Sequence, residues 1–292
     1  MAQTTQGQQT PAKAMGLLGA INPAWEEIDY NQLHVKVKII TSSFFFFAFV
    51  YLLCHVLSSL LKTYNGLRLK EKIFWNLAVV RATFGVFCTV VGIWALWWDQ
   101  ELKKDVVFAT TPTSFFAICT TIGFFLFECS TLLVSDVIFR KMSILLNLHH
   151  WLSLVGYSLI LWVGSTHYFA TNGLILEMST PFSALCWVLL KCGLADTTIW
   201  WLNQCVLVHS FHLRSVLEVF FWMETYRHWD HIWADMPTSM FVSFYTELTL
   251  VSLVMTPYWT YKKSAQLFNP IDWNFLDAEK TKTTNGAAKK EK

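Results

Sequence analysis

Two adjacent histidines, His149 and His150, lie inside an apolar stretch that runs from Ile144 to Trp162. An imidazole ring is costly in hydrocarbon unless it faces a cavity or a polar partner, so ionisable residues at membrane depth mark functional sites. Ser153 follows His149 by four residues and His150 by three, which places the three side chains on one face of a helix. The pair therefore predicts a catalytic or ligand-binding site within the membrane.

Two kinds of chemistry can use such a pair. An imidazole can act as a general base, or it can accept an acyl group from a thioester and pass it to a hydroxyl. Several histidines can instead bind iron or zinc, but the only other close histidine pair in an apolar segment is His209 with His212. We therefore predict acyl transfer without a metal. The alternative is a polar network that only holds helices together.

Further charged and polar side chains lie in the apolar segments. Each needs a partner or water, because an unpaired charge in hydrocarbon is costly, and convergence on one interior cavity would satisfy them together. Arg214 and Glu218 are four residues apart and are expected to neutralise each other, so a structural role is favoured for this pair and for Arg81. Guanidinium groups nevertheless suit phosphate. The candidates for substrate binding are Arg81, Glu128, Glu177, His209, His212 and Arg214, and Glu247 is a further buried charge.

The composition places these residues in a membrane protein. Apolar residues make up 54% of the 292 residues and charged residues only 14%, whereas soluble domains carry about 25% charged residues. Seven segments have the roughly 20 apolar residues that one crossing requires. We predict an all-α, multi-pass transmembrane bundle of about seven helices, with a kink at Pro181. The spans are expected at residues 39–61, 73–98, 112–134, 143–163, 168–190, 197–222 and 239–260.

Lysine and arginine residues outside the spans are concentrated on one side of the membrane. The connections after the odd-numbered segments and the tail contain most of them, which by the positive-inside rule places the C-terminus in the cytosol and the N-terminus across the membrane. From a cytosolic start near Ser143, the histidine pair lies roughly 10 Å deep at about 1.5 Å per residue, within reach of a thioester from the cytosol. The net charge of +2 does not suggest nucleic acid as a partner.

The chain is expected to have four parts. Residues 1–38 form a polar, lumenal segment without signal-peptide features, residues 39–61 a first anchor, residues 62–262 the main transmembrane domain and residues 263–292 a flexible cytosolic tail. Lys289 and Lys290, at the fourth and third positions from the end, resemble the dilysine signal that coat proteins read to return membrane proteins to the endoplasmic reticulum. The alternative is an ordinary lysine-rich tail.

Several stretches resemble one family. They are EKIFWNLAVVRATFGV at 71–86, LHHWLSLVGY at 148–157, LEMSTPF at 176–182, NQCVLVHSFHLR at 203–214, and PYWTYKK with NPIDWNF between 257 and 275. Together they are similar to the TLC-domain family, which includes ceramide synthases and translocation-associated membrane proteins. They extend over nearly the whole chain apart from its two ends. The resemblance implies a TLC-type bundle at residues 62–262.

The resemblance also implies functions. Catalytic members of the family transfer a fatty acyl group from coenzyme A to an amine or a hydroxyl with paired histidines inside the bundle, which implies acyl-CoA as co-substrate and His149 and His150 as catalytic residues. Ceramide synthases follow their pair with a His-Asp-x-x-Asp pattern, whereas this chain has GSTHYFATNGLILE at 164–177, with His167 and Glu177. A glycerol-based lipid acceptor is therefore expected rather than a sphingoid base.

Two functions are weighed, with a third behind them. The first is an acyl-CoA-dependent acyltransferase of the endoplasmic reticulum that acts on a glycerol-based phospholipid precursor such as glycerophosphoglycerol and supports lysosome function. The second is a receptor that binds lysosomal enzymes through lumenal loops at 99–111 and 224–238, cycles to the intermediate compartment before the Golgi, and is retrieved by coat proteins at Lys289 and Lys290. The third is a non-catalytic lipid sensor or transporter. The enzyme is favoured because a specific protein interface takes about 800 Å² per partner and these loops are short; membrane lipids are expected partners in every case.

Overall fold

The structure is a computed structural model that describes residues 16–140 and 142–275. Within this part of the chain there are helices and no strands, and seven helical segments are long and apolar enough to cross a membrane. This confirms the predicted all-α, multi-pass bundle. The seven spans are Leu33–Ser58, Leu69–Trp97, Pro112–Phe139, Ile144–Val163, His167–Lys191, Thr198–Arg227 and Thr238–Phe268.

The α-helices are numbered in chain order. The short helices outside the spans are α1 (Leu17–Ile21), α2 (Pro23–Glu26), α4 (Lys62–Asn65) and α11 (Trp229–Asp235). Five spans are single helices: α3 (Leu33–Ser58), α5 (Leu69–Trp97), α6 (Pro112–Phe139), α7 (Ile144–Val163) and α10 (Thr198–Arg227). The fifth span consists of α8 (His167–Gly173), a 3₁₀ segment (Leu174–Ser179) and α9 (Thr180–Lys191). The seventh consists of α12 (Thr238–Leu250), a π-helical turn (Val251–Met255) and α13 (Thr256–Phe268).

The first span begins at Leu33, before the predicted start at 39. Lys36 and Lys38 end the apolar stretch but not the helix, because helical hydrogen bonding continues into the interface while long lysine side chains reach water. The Lys36 ammonium lies 5.2 Å from the centre of the Phe115 ring on α6, which is a favourable cation–π distance. Hydropathy therefore predicts where the span lies but places its charged end too late in the chain.

The first span packs into the bundle through aromatic rings and one close backbone approach. Phe47 is buried against Phe84 and Phe124, with 5.2 Å between the ring centres of Phe47 and Phe124. A Cβ atom at Gly123 would lie 2.6 Å from the carbonyl oxygen of Ile40, so glycine at this position allows α3 and α6 to meet. The division into an anchor and a main domain stays a prediction.

The fifth span departs from α-helical geometry before Pro181, where the kink was predicted. The 3₁₀ segment Leu174–Ser179 precedes α9, and Pro181 lies in the first turn of α9, where its missing N–H leaves no helical hydrogen bond unmade. The segment lies tightly against α5, because a Cβ atom at Gly92 would be only 2.5 Å from the amide nitrogen of Ile175. The irregular backbone places Glu177 at the wall of an interior cavity.

The chain remains packed beyond both predicted boundaries of the main domain. On the N-terminal side, Leu18 and Tyr30 are buried, and the Tyr30 ring stacks on Phe115 with 6.3 Å between ring centres. On the C-terminal side, α13 continues to Phe268. The first residues of the tail predicted to start at 263 are therefore helical. The four-part division stays a prediction, and Lys289 and Lys290 lie outside the described residues.

The segment after α13, residues 269–275, folds back onto the bundle, and we call it the C-terminal strap. Lys191 at the end of α9 joins it to α5, because the Lys191 Nζ lies 2.7 Å from a carboxylate oxygen of Glu71 and 2.7 Å from one of Asp272. The indole N–H of Trp187 also donates a hydrogen bond to Asp272 at 3.2 Å. These charge-assisted contacts fix the strap at one end of the bundle.

Candidate functional site

A cavity of about 590 Å³ lies among α5, α6, α7, α9, α10 and α13, a size typical of small-ligand sites. Apolar side chains of α5 and α6 line its inner part: Ile73, Phe74, Leu77, Phe84, Phe124 and Phe125. Its charged and histidine lining consists of Lys70, Arg81, Asp136, His149, His150, Glu177, Arg214, Lys262 and Lys263. The predicted histidine pair, Arg81, Glu177 and Arg214 are therefore brought to one cavity.

The two histidines face the cavity because of their positions on α7. His149, His150 and Ser153 are buried, as is Asn147 less than one turn before them. The opposite face of the helix is apolar and exposed: Leu148, Trp151 and Val155. The helix thus presents its polar residues to the bundle and its apolar residues to the surrounding lipid, as expected of a span with an interior site.

His149 forms a hydrogen-bonded pair with Glu247 of α12. The Nδ1–H group of His149 donates to Glu247 Oε1 at 2.8 Å, and the Ser153 hydroxyl donates to the same oxygen at 2.9 Å. The Trp259 ring lies edge-on to the imidazole, with 6.2 Å between ring centres. A carboxylate that holds one ring nitrogen fixes the tautomer and leaves the lone pair of Nε2 for a substrate. This is the arrangement that a general base or an acyl carrier requires.

The π-helical turn in the seventh span brings the partners of His149 together. Glu247 precedes the turn and Trp259 follows it, and both lie beside the same imidazole. A π-helical turn shifts the face that the following residues present, and such turns are frequent at functional sites. The sequence shows Glu247 as a buried charge, but its contact with α7 has no signal in local spacing and is visible only in the structure.

His150 has a different environment. Its Nδ1 lies 3.8 Å from Glu128 Oε1, beyond hydrogen-bond distance, and the Phe125 ring is 5.6 Å away between ring centres. Glu128 is fully buried and accepts hydrogen bonds from two nitrogens of Arg81, with 2.7 Å from Nε to Oε1. Within residues 16–140 and 142–275, neither His150 Nδ1 nor Glu128 Oε2 has a hydrogen-bond partner. These two atoms are left for water or a bound molecule.

Arg214 and Glu218 form the ion pair that their spacing predicts. The Arg214 Nε lies 3.1 Å from Glu218 Oε1, and Arg214 Nη1 donates to the carbonyl oxygen of Leu176 at 3.2 Å. Thr256 donates a further hydrogen bond to Glu218. Glu177 accepts a hydrogen bond from the Thr180 hydroxyl. The guanidinium group is therefore committed to protein partners at the cavity wall.

His209 and His212 do not line the cavity, and their assignment to substrate binding stays a prediction. Both are exposed on the outer face of α10, and their Nδ1–H groups donate to the carbonyl oxygens of Cys205 (2.7 Å) and Val208 (2.8 Å). The buried residues of α10 lie on another face: Trp200, Asn203, Gln204, Leu207, Phe211, Arg214, Leu217, Glu218, Phe221, Glu224 and Thr225. The two histidines do share a face, as their spacing predicts, but packing turns the other face inward.

No three His, Cys, Asp or Glu residues come together as a possible metal-ligand set in the described part of the chain. The expectation of a site without a metal stays a prediction. The polar groups at the cavity include carboxylate-paired cations and one carboxylate-paired imidazole, and the paired imidazole is suited to proton transfer.

At the opposite end of the bundle, His231 ties two connections together. Its Nε2 lies 2.9 Å from Asp105 Oδ1 in the connection between α5 and α6, and its Nδ1 lies 2.8 Å from Asp235 Oδ2 within α11. Hydrogen bonds to Asp105 and to Asp235 raise the pKa of His231 above its usual value of 6.5. These are the connections in which sequence analysis placed a contact surface for cargo.

The His231 bridge predicts a pH-dependent loop contact. Because the pKa is raised in the folded protein, the contribution is fully present below pH 6.5 and is lost as pH rises through the folded-state pKa, where the neutral ring can donate to only one carboxylate. Amide hydrogen exchange of residues 228–237, corrected for intrinsic rates, should accelerate over that range in the wild type. His231→Gln should exchange at a pH-independent corrected rate, and His228→Gln should behave as the wild type. The same pH profile in wild type and His231→Gln would exclude the bridge.

The chain was compared with known proteins. The profile of the TLC domain family (TRAM_LAG1_CLN8) matches residues 74–263. Protein CLN8 of Canis lupus familiaris is 39% identical over 251 residues, covering 85% of this chain and 87% of that protein. Protein CLN8 of Mus musculus is 38% identical over 291 residues, covering 97% and 99%.

A more distant relative is TLC domain-containing protein 4 of Homo sapiens, which is 28% identical over 120 residues, or 41% of this chain and 44% of that protein. No solved structure matches the chain. These matches confirm that the sequence closely resembles the neuronal ceroid lipofuscinosis type eight protein. On the family profile and on identities above 30% over most of both chains, this seven-span protein belongs to the TLC domain family.

Proposed function

We propose that the protein is an acyl-CoA-dependent acyltransferase that acts on a glycerol-based phospholipid precursor, for example glycerophosphoglycerol. The observation that carries the proposal is the His149–Glu247 pair at the wall of a cavity within the bundle. An imidazole held by a carboxylate on one nitrogen is the arrangement by which proteins activate a hydroxyl. The apolar inner lining suits an acyl chain, and the polar lining suits a headgroup.

The reaction follows from the free ring nitrogen. As the acceptor hydroxyl oxygen attacks the thioester carbonyl carbon, Nε2 of His149 takes the hydroxyl proton, and Glu247 stabilises the imidazolium through Nδ1–H. The carbon–sulfur bond then breaks, and the imidazolium returns the proton to the leaving thiolate. Alternatively, Nε2 attacks the carbonyl carbon first, and the carbon–sulfur bond breaks to release the coenzyme A thiolate. The acceptor hydroxyl oxygen then attacks the acyl-imidazole, the bond between the carbonyl carbon and Nε2 breaks, and the hydroxyl proton passes to the thiolate. The products are an ester and coenzyme A by either route.

The experiment is acyl transfer by the purified chain in detergent, with labelled acyl-CoA and a panel of acceptors. The panel contains glycerophosphoglycerol, other glycerophosphodiesters, lysophospholipids and a sphingoid base. We expect a labelled ester with a glycerol-based acceptor and none with the sphingoid base. Saturable lipid binding without turnover on any acceptor would reject the enzyme and leave the lipid sensor or transporter.

We also propose that the protein resides in the endoplasmic reticulum, cycles to the intermediate compartment and is retrieved by coat proteins that read Lys289 and Lys290 on a cytosolic tail. Replacement of both lysines by alanine should move the protein forward to the Golgi, as imaged against compartment markers. A matched change of Lys280 and Lys282 to alanine should leave its distribution unaltered. Retention of the Lys289→Ala/Lys290→Ala variant in the endoplasmic reticulum would contradict the signal.

A receptor for lysosomal enzymes remains the alternative function. The observation in its favour is a group of exposed aromatic side chains at the end of the bundle opposite the strap, with Trp229 and Trp233 stacked at 5.6 Å between ring centres. Exposed aromatic residues are enriched in protein interfaces. The test is export of lysosomal enzymes from cells that carry Trp229→Ser/Trp233→Ser. This variant should retain acyl transfer, so a loss of export would separate the receptor function from the enzyme function.

A further inference from the structure

In the described part of the chain, five cations line the cavity: Lys70 of α5 and four others that fall into two groups. Arg81 and Arg214 are paired with the carboxylates of Glu128 and Glu218. Lys262 and Lys263, near the end of α13, form no ion pair with a carboxylate of the described residues. Among these four cations, the positive charge that a ligand can use therefore lies with Lys262 and Lys263 and not with the buried arginines.

The two lysines lie at the strap end of the cavity. The Lys262 Nζ is 4.5 Å from the centre of the Tyr258 ring and 5.2 Å from the centre of the Trp273 ring, so the strap and α13 hold it between two aromatic faces. The Lys263 Nζ donates a hydrogen bond to Gln266 Oε1 at 3.1 Å. Both side chains are half-buried and line the cavity. We call Lys262 and Lys263, with Tyr258 and Trp273, the lysine rim.

The lysine rim is close to the reactive histidine along the chain. Trp259, whose ring touches the His149 imidazole edge-on, precedes Lys262 by three residues and Lys263 by four on the same helix. One turn of helix is about 5.4 Å long, so the backbone positions of the two lysines lie about one turn beyond Trp259, toward the strap. Both lysines and His149 line the same cavity, so a substrate at His149 that extends toward the strap meets the rim.

The acidic groups of the cavity do not neutralise the rim. Asp136 accepts a hydrogen bond from the Asn147 amide at 2.9 Å, and Glu177 accepts one from Thr180. Asp272 of the strap is bound by Lys191, as described above. A hydrogen bond from a neutral amide or hydroxyl does not cancel the charge of a carboxylate, but none of these three carboxylates of the described residues lies within ion-pair distance of Lys262 or Lys263. The rim is therefore a half-buried cationic surface next to a proton-transfer site.

We propose that the lysine rim is the subsite for a phosphate ester of the substrate. The proposal rests on the proposed function and names the part of the same site that selects phosphorylated molecules. Ammonium groups bind phosphate through charge-assisted hydrogen bonds, and burial between aromatic rings excludes competing water. The phosphate belongs either to the nucleotide end of the acyl donor or to the glycerophosphodiester acceptor. The lysine rim, and not Arg81 or Arg214, is the phosphate ligand, because the guanidinium groups of the two arginines already hold carboxylates.

The test is equilibrium binding to the full chain in detergent, with labelled coenzyme A and labelled glycerophosphoglycerol as separate probes. Lys262→Gln/Lys263→Gln should weaken binding of one probe about 10- to 100-fold, which corresponds to about 1.4–2.8 kcal/mol in total. Lys262→Arg/Lys263→Arg should retain affinity within about threefold on the same scale. Lys103→Gln/Lys104→Gln, at the other end of the bundle, is the matched control. The single variant Lys263→Gln keeps the ring contacts of Lys262, so it tests the rim if the double variant fails to fold.

The two probes distinguish the source of the phosphate. A loss confined to coenzyme A assigns the rim to the donor, and pantetheine, which lacks the nucleotide, should then bind equally to both proteins. A loss confined to glycerophosphoglycerol assigns the rim to the acceptor. Unchanged affinity of the glutamine variants for both probes, or no binding of either probe to the wild type, overturns the proposal. Binding is measured without turnover, so the two proposals can fail separately. If the lysine variants lose affinity but the protein transfers no acyl group, the phosphate subsite stands and only the acyltransferase function is rejected.

Discussion

Replacing His149 by alanine should lower the rate of acyl transfer by about 10²- to 10⁴-fold, the range for removal of a general acid or base. The reason is that His149 lines the cavity, keeps Nε2 free and has its other nitrogen held at 2.8 Å by Glu247. Binding of acyl-CoA should change little, because the imidazole acts on the reacting atoms and not on the bulk of the substrate. Steady-state kinetics with labelled acyl-CoA, separated into kcat and KM, measures both quantities.

The bundle offers a matched control for this variant. His209→Ala/His212→Ala removes two imidazoles from the outer face of α10 and should leave kcat within about twofold, on a scale where tenfold is 1.4 kcal/mol. Intact-mass measurement with the acceptor omitted distinguishes the two routes, since an acyl-imidazole adds the acyl mass and His149→Ala prevents it. If His149→Ala retains wild-type kcat, the imidazole is structural and the proposed chemistry is wrong.

The seven spans could be predicted because a lipid environment leaves the backbone few alternatives. Every N–H and C=O group in hydrocarbon must be satisfied within the segment, so a long apolar stretch has to be helical. The departures from regular helix could not be predicted in this way. The 3₁₀ segment Leu174–Ser179 packs closely against Gly92, a contact that local sequence does not show. The turn Val251–Met255 lies just before Pro257, which removes one helical N–H group but does not by itself specify a π-helical turn.

The site was predictable in part for a similar reason. An imidazole or a charge in an apolar segment stands out against its neighbours, and the structure brings His149, His150, Arg81, Glu177 and Arg214 to one cavity. Which face of a helix turns inward depends on its neighbours, so the spacing of His209 and His212 could not show that they face outward. The partner of His149 is 98 residues away at Glu247. Pairings at that separation require the packed structure.

The largest expected effect on stability is at Glu128, whose side chain is fully buried and holds Arg81. Glu128→Ala leaves the Arg81 guanidinium without its carboxylate, and removal of one partner of a buried ion pair typically costs about 3–5 kcal/mol. The variant should unfold at a markedly lower temperature in detergent and yield less monodisperse protein. Thermal unfolding followed by circular dichroism, together with size-exclusion chromatography, measures both effects.

The companion variant separates the cost of an unpaired charge from the value of the pair. Arg81→Met/Glu128→Leu removes both charges and keeps the volume, so its stability should return to within about 1–2 kcal/mol of the wild type, as in other proteins where apolar residues replace a buried ion pair. A double variant as unstable as Glu128→Ala would mean that the pair itself stabilises the bundle. The double variant also bears on the site: the Arg81–Glu128 pair adjoins His150, at 3.8 Å from Glu128, and not the His149–Glu247 pair. We therefore expect the Arg81→Met/Glu128→Leu variant to retain acyl transfer. This result would show that the buried pair positions helices while His149 performs the chemistry.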